Sequence, residues 1–258
     1  MDECRLLGAK PSDFSMEENH KLSLATGPHL GDATCYRRLV GRLIYLTITR
    51  SDLCYAVHIL SQFMQAPREE HMSAARRVLR YIKGSPDCGI VINAHTDLQL
   101  IGYCDSDWGA CPLTRRSLTG YLVTLGGSPI SWKTKKQTTV SRSSAEAEYR
   151  SMAAVTSELV WLKSLLASFG IFHTQVMRLS CDSQSALHIA KNPVFHARTK
   201  HIEIDCHFVR ERYHSGDLDL FYIPSKMQPA DIFTKALGKR QFQYLRSKLG
   251  MVNLHAPT

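Results

Sequence analysis

The chain is poor in the features that would make its class obvious. It has eight cysteines in 258 residues, at positions 4, 35, 54, 88, 104, 111, 181 and 206, and no two form a CxxC pair. Spacing this wide excludes a dense disulfide scaffold and gives no zinc ribbon or knuckle. Reduced, mostly buried thiols are the reading that remains. No apolar run approaches the roughly 20 residues a membrane span needs, so no membrane partner is expected. The opening stretch, MDECRLLGAKPSDFS, carries acids early and has no apolar core of the secretory kind. An intracellular protein is the resulting expectation, with no compartment specified. There is no low-complexity tract and no internal repeat.

Positive charge is plentiful. Thirty-two Lys and Arg against 23 Asp and Glu give a net charge of +9. Such an excess suits a polyanionic partner, nucleic acid above all, although a basic solvated surface gives the same number.

Residues 1–30 are polar and broken by Pro11, Gly27 and Pro28, with Gly31 directly after, which reads as an extended lead-in. Residues 31–88 have a helical period and divide into three helices. Asp32 or Thr34 caps the first, Ser51 or Asp52 the second, and Gly84-Ser85-Pro86 stops the third. Arg76, Arg77, Arg80 and Lys83 near its end either track a phosphate backbone or form a solvated face with favourable C-terminal charge.

From residue 89 the pattern changes. GIVINA, LQLIGYCDSD, SLTGYLVTLGG and SPISWKTKK read as strands, with a hairpin at Gly126-Gly127. A long helix follows from Ser143 to about Ser168, then the strand VMRLSCD, the short helix SQSALHIAK, a helix from Arg198 to Tyr213 and the strand LDLFYIP. ADIFTKAL reads as a helix opened by Pro229, and residues 241–258 as a closing helix and tail. A strand meander followed by strands alternating with helices predicts an α/β domain with a mixed sheet over residues 89–240.

Four acids stand where structural acids are uncommon. Asp105 lies inside a strand-like run, Asp182 ends a strand, Glu148 sits on the long helix and Asp231 lies in the first turn of a late one. Open sheets place ligand sites at the carboxyl ends of their strands. Clustered carboxylates repel one another unless a cation neutralises them, and hard Mg²⁺ or Mn²⁺ prefers such oxygen ligands. Two such ions can clamp the attacking and leaving oxygens of a phosphodiester. Each acid also has a bland role: Asp182 as a helix cap, Asp231 as a favourable helix-start charge. Spacing does not choose between Asp105 and Asp107, which alternation sends to one face. Nor does it choose between Glu148 and Glu146, one of which is expected to face solvent.

At these residues the sequence resembles a known family. YCDSDWGACPLTRRSLTGYLV, SWKTKKQTTVSRSSAEAEYRSM, CDSQSALHIAKNPVFHARTKHIEI and IPSKMQPADIFTKAL are similar to the ribonuclease H region of Ty1/copia-type retrotransposon Pol polyproteins. YRRLVGRLIYLTITRSDLCYAVHILSQFM resembles the stretch joining reverse transcriptase to that region. The resemblance implies a ribonuclease H-like mixed-sheet fold preceded by a small helical remnant of the polymerase. It implies catalysis and metal binding by Asp105, Glu148 rather than Glu146, Asp182 and Asp231, with two Mg²⁺ ions, or Mn²⁺ in their place. The implied substrate is the RNA strand of an RNA–DNA hybrid.

Candidates for substrate contact are Ser106, Ser143, Ser144, Ser183 and Gln184 near the metals, and Lys133, Lys135, Lys136, Arg142 and Lys200 on phosphates. His201 is either a phosphate contact or a helix-face residue. Trp108 and Trp132 read as core. Three departures from the family pattern matter. The polymerase YxDD site is absent, so the chain is no reverse transcriptase by itself, and polymerase domains acting in trans become candidate partners. Thr49-Arg50-Ser51-Asp52-Leu53 stands where the family usually has TRPDI. The segment Ile223–Met227 has no His, where many ribonucleases H carry a mobile one.

Two alternatives stay open. A non-catalytic nucleic-acid-binding remnant would keep the fold and the basic surface. A transposase or integrase nuclease shares the fold class, but usually takes its final Glu from a late helix. Here Glu148 is on the first long helix and the last acid is Asp231.

Overall fold

In the computed structural model the described residues are 6, 8–192 and 202–253. They divide into two compact units, residues 1–91 with 235–258, and residues 92–234. The sequence suggested divisions at 88/89 and 240/241.

The first unit is mainly helical. Helix α1 (Ala33–Leu46) is capped by Asp32, which accepts the Thr34 N–H at 2.8 Å, and buries Tyr36, Leu39, Val40 and Leu43. Of the apolar stripe the spacing predicts, Tyr36, Leu39, Val40, Leu43, Ile44 and Leu46, Ile44 is exposed and Leu46 half-buried. A 3-10 turn, Ser51–Leu53, leads into α2 (Cys54–Ser61), and α3 spans Glu69–Lys83. The lead-in is not loose: Met16 and Leu22 are buried and His29 bridges to Arg68. Arg77, a candidate phosphate contact, pairs with Glu17 and stacks over Phe14 at 5.1 Å.

GIVINA does not join the main sheet. Its start forms β1 (Cys88–Ile90), which pairs antiparallel with β7 (Met251–Asn253), a strand with no periodic signal of its own. Helix α7 (Lys239–Lys248) precedes β7.

The second unit holds a five-stranded mixed sheet. Its strands are β2 (Leu100–Asp107), β3 (Leu118–Leu125), β4 (Ser128–Lys136), β5 (Met177–Cys181) and β6 (Leu218–Tyr222), in the order β4-β3-β2-β5-β6. β2, β3 and β4 are antiparallel neighbours, and β5 and β6 run parallel to β2. Gly126 and Gly127 make the β3–β4 hairpin with φ of +53° and +80°, a turn that favours glycine at both positions.

Helices α4 (Ser144–Ser168), α5 (Gln184–Lys191) and α6 (Glu203–His214) complete the unit. α4 lies against the face of the sheet to which Gly102 points. A Cβ there would lie 2.8 Å from the Val155 side chain, so glycine permits the close approach. Leu100, Cys104, Tyr149, Met152, Val155, Leu159 and Leu179 form the core beneath it. This is the α/β, mixed-sheet, ribonuclease H-like arrangement expected. One element differs: ADIFTKAL is not an α-helix but a 3-10 turn, Pro229–Phe233, begun by the proline and by Gln228, whose side chain accepts the Ala230 N–H. No helix among the described residues is long and apolar enough to cross a membrane.

Candidate metal centre

Asp105 is near the end of β2 and 1% exposed. Asp182 directly follows β5 and is half-buried. Glu148 is in the second turn of α4, and Asp231 in the 3-10 turn; both are buried. The two acids from non-strand elements arrive from opposite faces. α4 covers the Gly102 side. The turn covers the side of Gly120, where a Cβ would lie 2.6 Å from Thr234 and 2.8 Å from Phe233. Gly120 is the cross-strand partner of Asp105, so those two share a face.

The ligand atoms of Asp105, Asp182 and Asp231 lie within 4.8 Å of one another, and so do those of Glu148, Cys181 and Asp182. Asp182 is common to both groups, so the four predicted acids form one cluster. The Ser106 N–H donates to Glu148 at 3.3 Å, and the Ser225 hydroxyl to Asp182 at 2.6 Å. The Thr234 hydroxyl donates to Asp105. Burial pushes the Glu148 carboxyl up to about 10, helped by the negative charge of Asp105, Cys181 and Asp182, with the Ser106 hydrogen bond opposing. A carboxyl held so far above its ordinary range among other acids suits a divalent cation, and the oxygen-rich donor set fits Mg²⁺ or Mn²⁺.

Glu146 is not solvent-facing as expected. It is buried too, but it is occupied: it accepts the Arg142 N–H at 2.7 Å and pairs with Arg150 at 3.1 Å. The helix start is further fixed by buried Gln137, which donates to the Ala147 carbonyl and accepts from Ser141.

Ser143 caps α4 by accepting the Glu146 N–H, and Ser183 caps α5 by accepting that of Ala186, so the cap is Ser183, the first residue of SQSAL, rather than Asp182. Ser106 is buried against the Gln137 amide. Ser144, Gln184 and Arg142 are exposed. Lys133, Lys135 and Lys136 line a groove of about 920 Å³ with Arg150 and Tyr121; none of the four acids lines it. Lys136 also lies 3.3 Å from the Cys111 thiol. Lys200 and His201 lie outside the described residues. Trp108 is 52% exposed, not core, with its ring N–H on the Ser141 carbonyl.

Sequence reasoning missed Cys181, Ser225, Gln228 and Thr234. Cys181 was legible only as a buried thiol, because strand alternation separates it from Asp182. The hydroxyls and the amide had no periodic signal at all.

With this geometry in place, known proteins give the context. No protein-family profile matches the chain. The Retrovirus-related Pol polyprotein from transposon RE1 of Arabidopsis thaliana is 45% identical over 249 residues, 96% of this chain. This chain belongs with the copia-type retrotransposon Pol polyproteins. The corresponding polyprotein from transposon TNT 1-94 of Nicotiana tabacum is 38% identical over 218 residues, 84% of this chain. The chain spans 17% of the first and 16% of the second. Among solved structures, LC11-RNase H1, isolated from compost by a metagenomic approach, is similar over 53% of this chain and 93% of its own. Its TM-score is 0.42 at 15% identity.

Proposed function

We propose that this copia-type Pol chain is a metal-dependent endonuclease that hydrolyses the RNA strand of RNA–DNA hybrids. The observation that carries the reading is the convergence of Asp105, Glu148, Asp182 and Asp231 on one cluster through the shared Asp182. Family membership supports it, because the four acids lie in the blocks by which the chain resembles the ribonuclease H region.

The four acids would hold two divalent cations, Mg²⁺ or Mn²⁺, and such a pair would supply activation of the attacking water and stabilisation of the leaving oxygen. No side chain need act as a covalent nucleophile. Asp182, half-buried and common to both groups of candidate ligands, would be one of the residues that hold the cations. Burial and its acidic neighbours keep the Glu148 carboxyl protonated well above the ordinary range in the absence of a cation. Lys133, Lys135, Lys136 and Arg142 hold phosphates. Ser144 and Gln184, exposed beside the caps of α4 and α5, are available to 2′-hydroxyls.

The test is incubation of the purified chain with a labelled hybrid in Mg²⁺ and in EDTA. Cleavage in Mg²⁺ alone is expected. Hybrid binding without turnover by a folded sample would leave a non-catalytic binding module instead.

A further inference from the structure

We propose that Thr234 is a positioning residue for the acid cluster, and that Gly120 is the clearance that lets it work. The inference rests on reading the four acids as a cation site and names what orients the first of them.

Thr234 is fully buried and directly follows the turn that carries Asp231. Its hydroxyl has one proton and two acceptors in reach, an Asp105 carboxylate oxygen and the Asp231 carbonyl at 3.3 Å. A charged acceptor makes the stronger bond, so the proton goes to Asp105. One side chain thereby joins the strand acid to the backbone of the turn acid.

The rest of the turn is fastened in the same way. Gln228, also fully buried, donates from its amide to the Cys104 carbonyl on β2 at 2.9 Å. The Thr134 hydroxyl on β4 donates to the Phe233 carbonyl at 2.8 Å. All of this requires the turn to lie close on β3. Residue 120 faces it directly, and a Cβ there would meet the Thr234 methyl at 2.6 Å, the Phe233 Cβ at 2.8 Å and the Ala230 carbonyl at 3.2 Å. Backbone and β-carbon neighbours cannot swing aside, so glycine is required.

An Asp carboxylate rotates broadly about its last torsion. A buried hydroxyl on one carboxylate oxygen restrains that rotation and so holds the Asp105 carboxylate in its place in the cluster. Partners of this kind typically change metal affinity or activity by about 10–100-fold.

The experiment measures Mn²⁺ binding by calorimetry and steady-state hybrid cleavage for the full chain and its variants. Thr234→Val should weaken Mn²⁺ binding by about 10–100-fold and lower kcat while KM for the hybrid is unchanged. Thr234→Ser, which restores the hydroxyl, should recover most of both. Thr234→Cys, a weak donor of similar size, should fall between them and serves if the valine variant does not fold. Gly120→Ala should lose Mn²⁺ binding by displacing the turn. If folded Thr234→Val or Thr234→Cys binds Mn²⁺ as tightly as wild type and cleaves at its rate, while Asp105→Asn does neither, the positioning role is wrong and the cation site stands. If the wild-type chain itself binds no Mn²⁺, the cation reading falls and takes the inference with it.

Discussion

The two units treat a buried aspartate in opposite ways. In the helical unit Asp52 is 1% exposed and receives the Arg50 guanidinium through two bonds, at 3.0 and 2.8 Å, with the Tyr81 hydroxyl as a further donor. Arg50 is held in turn by the Ser85 carbonyl. That acid is neutralised by its own chain. In the sheet unit Asp105, Glu148 and Asp182 receive named hydrogen bonds from a threonine hydroxyl, a backbone N–H and a serine hydroxyl, all neutral, and they stand beside one another. Burial with a bidentate guanidinium makes a structural acid. Burial among other acids makes a donor set that suits a divalent cation.

The contrast breaks most sharply under substitution of the acids. Asp105→Asn or Asp182→Asn should abolish hybrid cleavage and leave the circular dichroism spectrum unchanged; full activity in either would overturn the site. In stability the two units should then diverge. Asp52→Asn leaves a buried arginine without its charge partner and should cost about 3–5 kcal/mol, read as a lower midpoint in urea. Asp105→Asn removes a repelling charge, so without divalent metal its midpoint should stay level or rise. A fall in both midpoints would erase the distinction.

A pH profile sharpens the same point. In the metal-free fold Glu148 keeps its proton to about 10, whereas in the unfolded chain it gives it up near 4.5. Between those values the folded state binds the extra proton, so its stability falls as pH rises. Thermal unfolding in EDTA should show that decline, and Glu148→Gln should flatten it. An equal slope in the variant would mean that Glu148 is not the group responsible. The smallest effect belongs to the groove that Lys133 and Lys135 line. Lys133→Gln and Lys135→Gln should each weaken hybrid binding modestly and reduce its salt dependence by roughly one phosphate contact. An unchanged salt slope would remove those lysines from the interface.

Much of the architecture was legible because it is periodic. Alternation marked β2, β3 and β4, the 3.6-residue period marked α1 and α4, and Gly126-Gly127 announced the hairpin. The acids were legible by position and were sorted by resemblance; the capping role of Glu146 now gives the physical reason for preferring Glu148. What stayed hidden depends on partners distant in sequence. β1 is three residues long and is a strand only because Met251–Asn253 pairs with it. The ADIFTKAL segment has a helix-like start, yet it is held as a 3-10 turn by Gln228, Thr134 and Thr234, with contacts reaching back to residue 104. Trp108 looks like core by residue type, but it follows the end of β2, where it is half exposed and its ring N–H donates to the Ser141 carbonyl.

The most direct test uses one hybrid with its RNA and DNA strands separately labelled, incubated with the full chain and with Asp182→Asn, in Mg²⁺ and in EDTA. Internal cuts are expected in the RNA strand alone, in Mg²⁺ alone, by the wild-type chain alone. An intact RNA strand with folded wild-type protein in Mg²⁺, or equal cutting by Asp182→Asn, would contradict it.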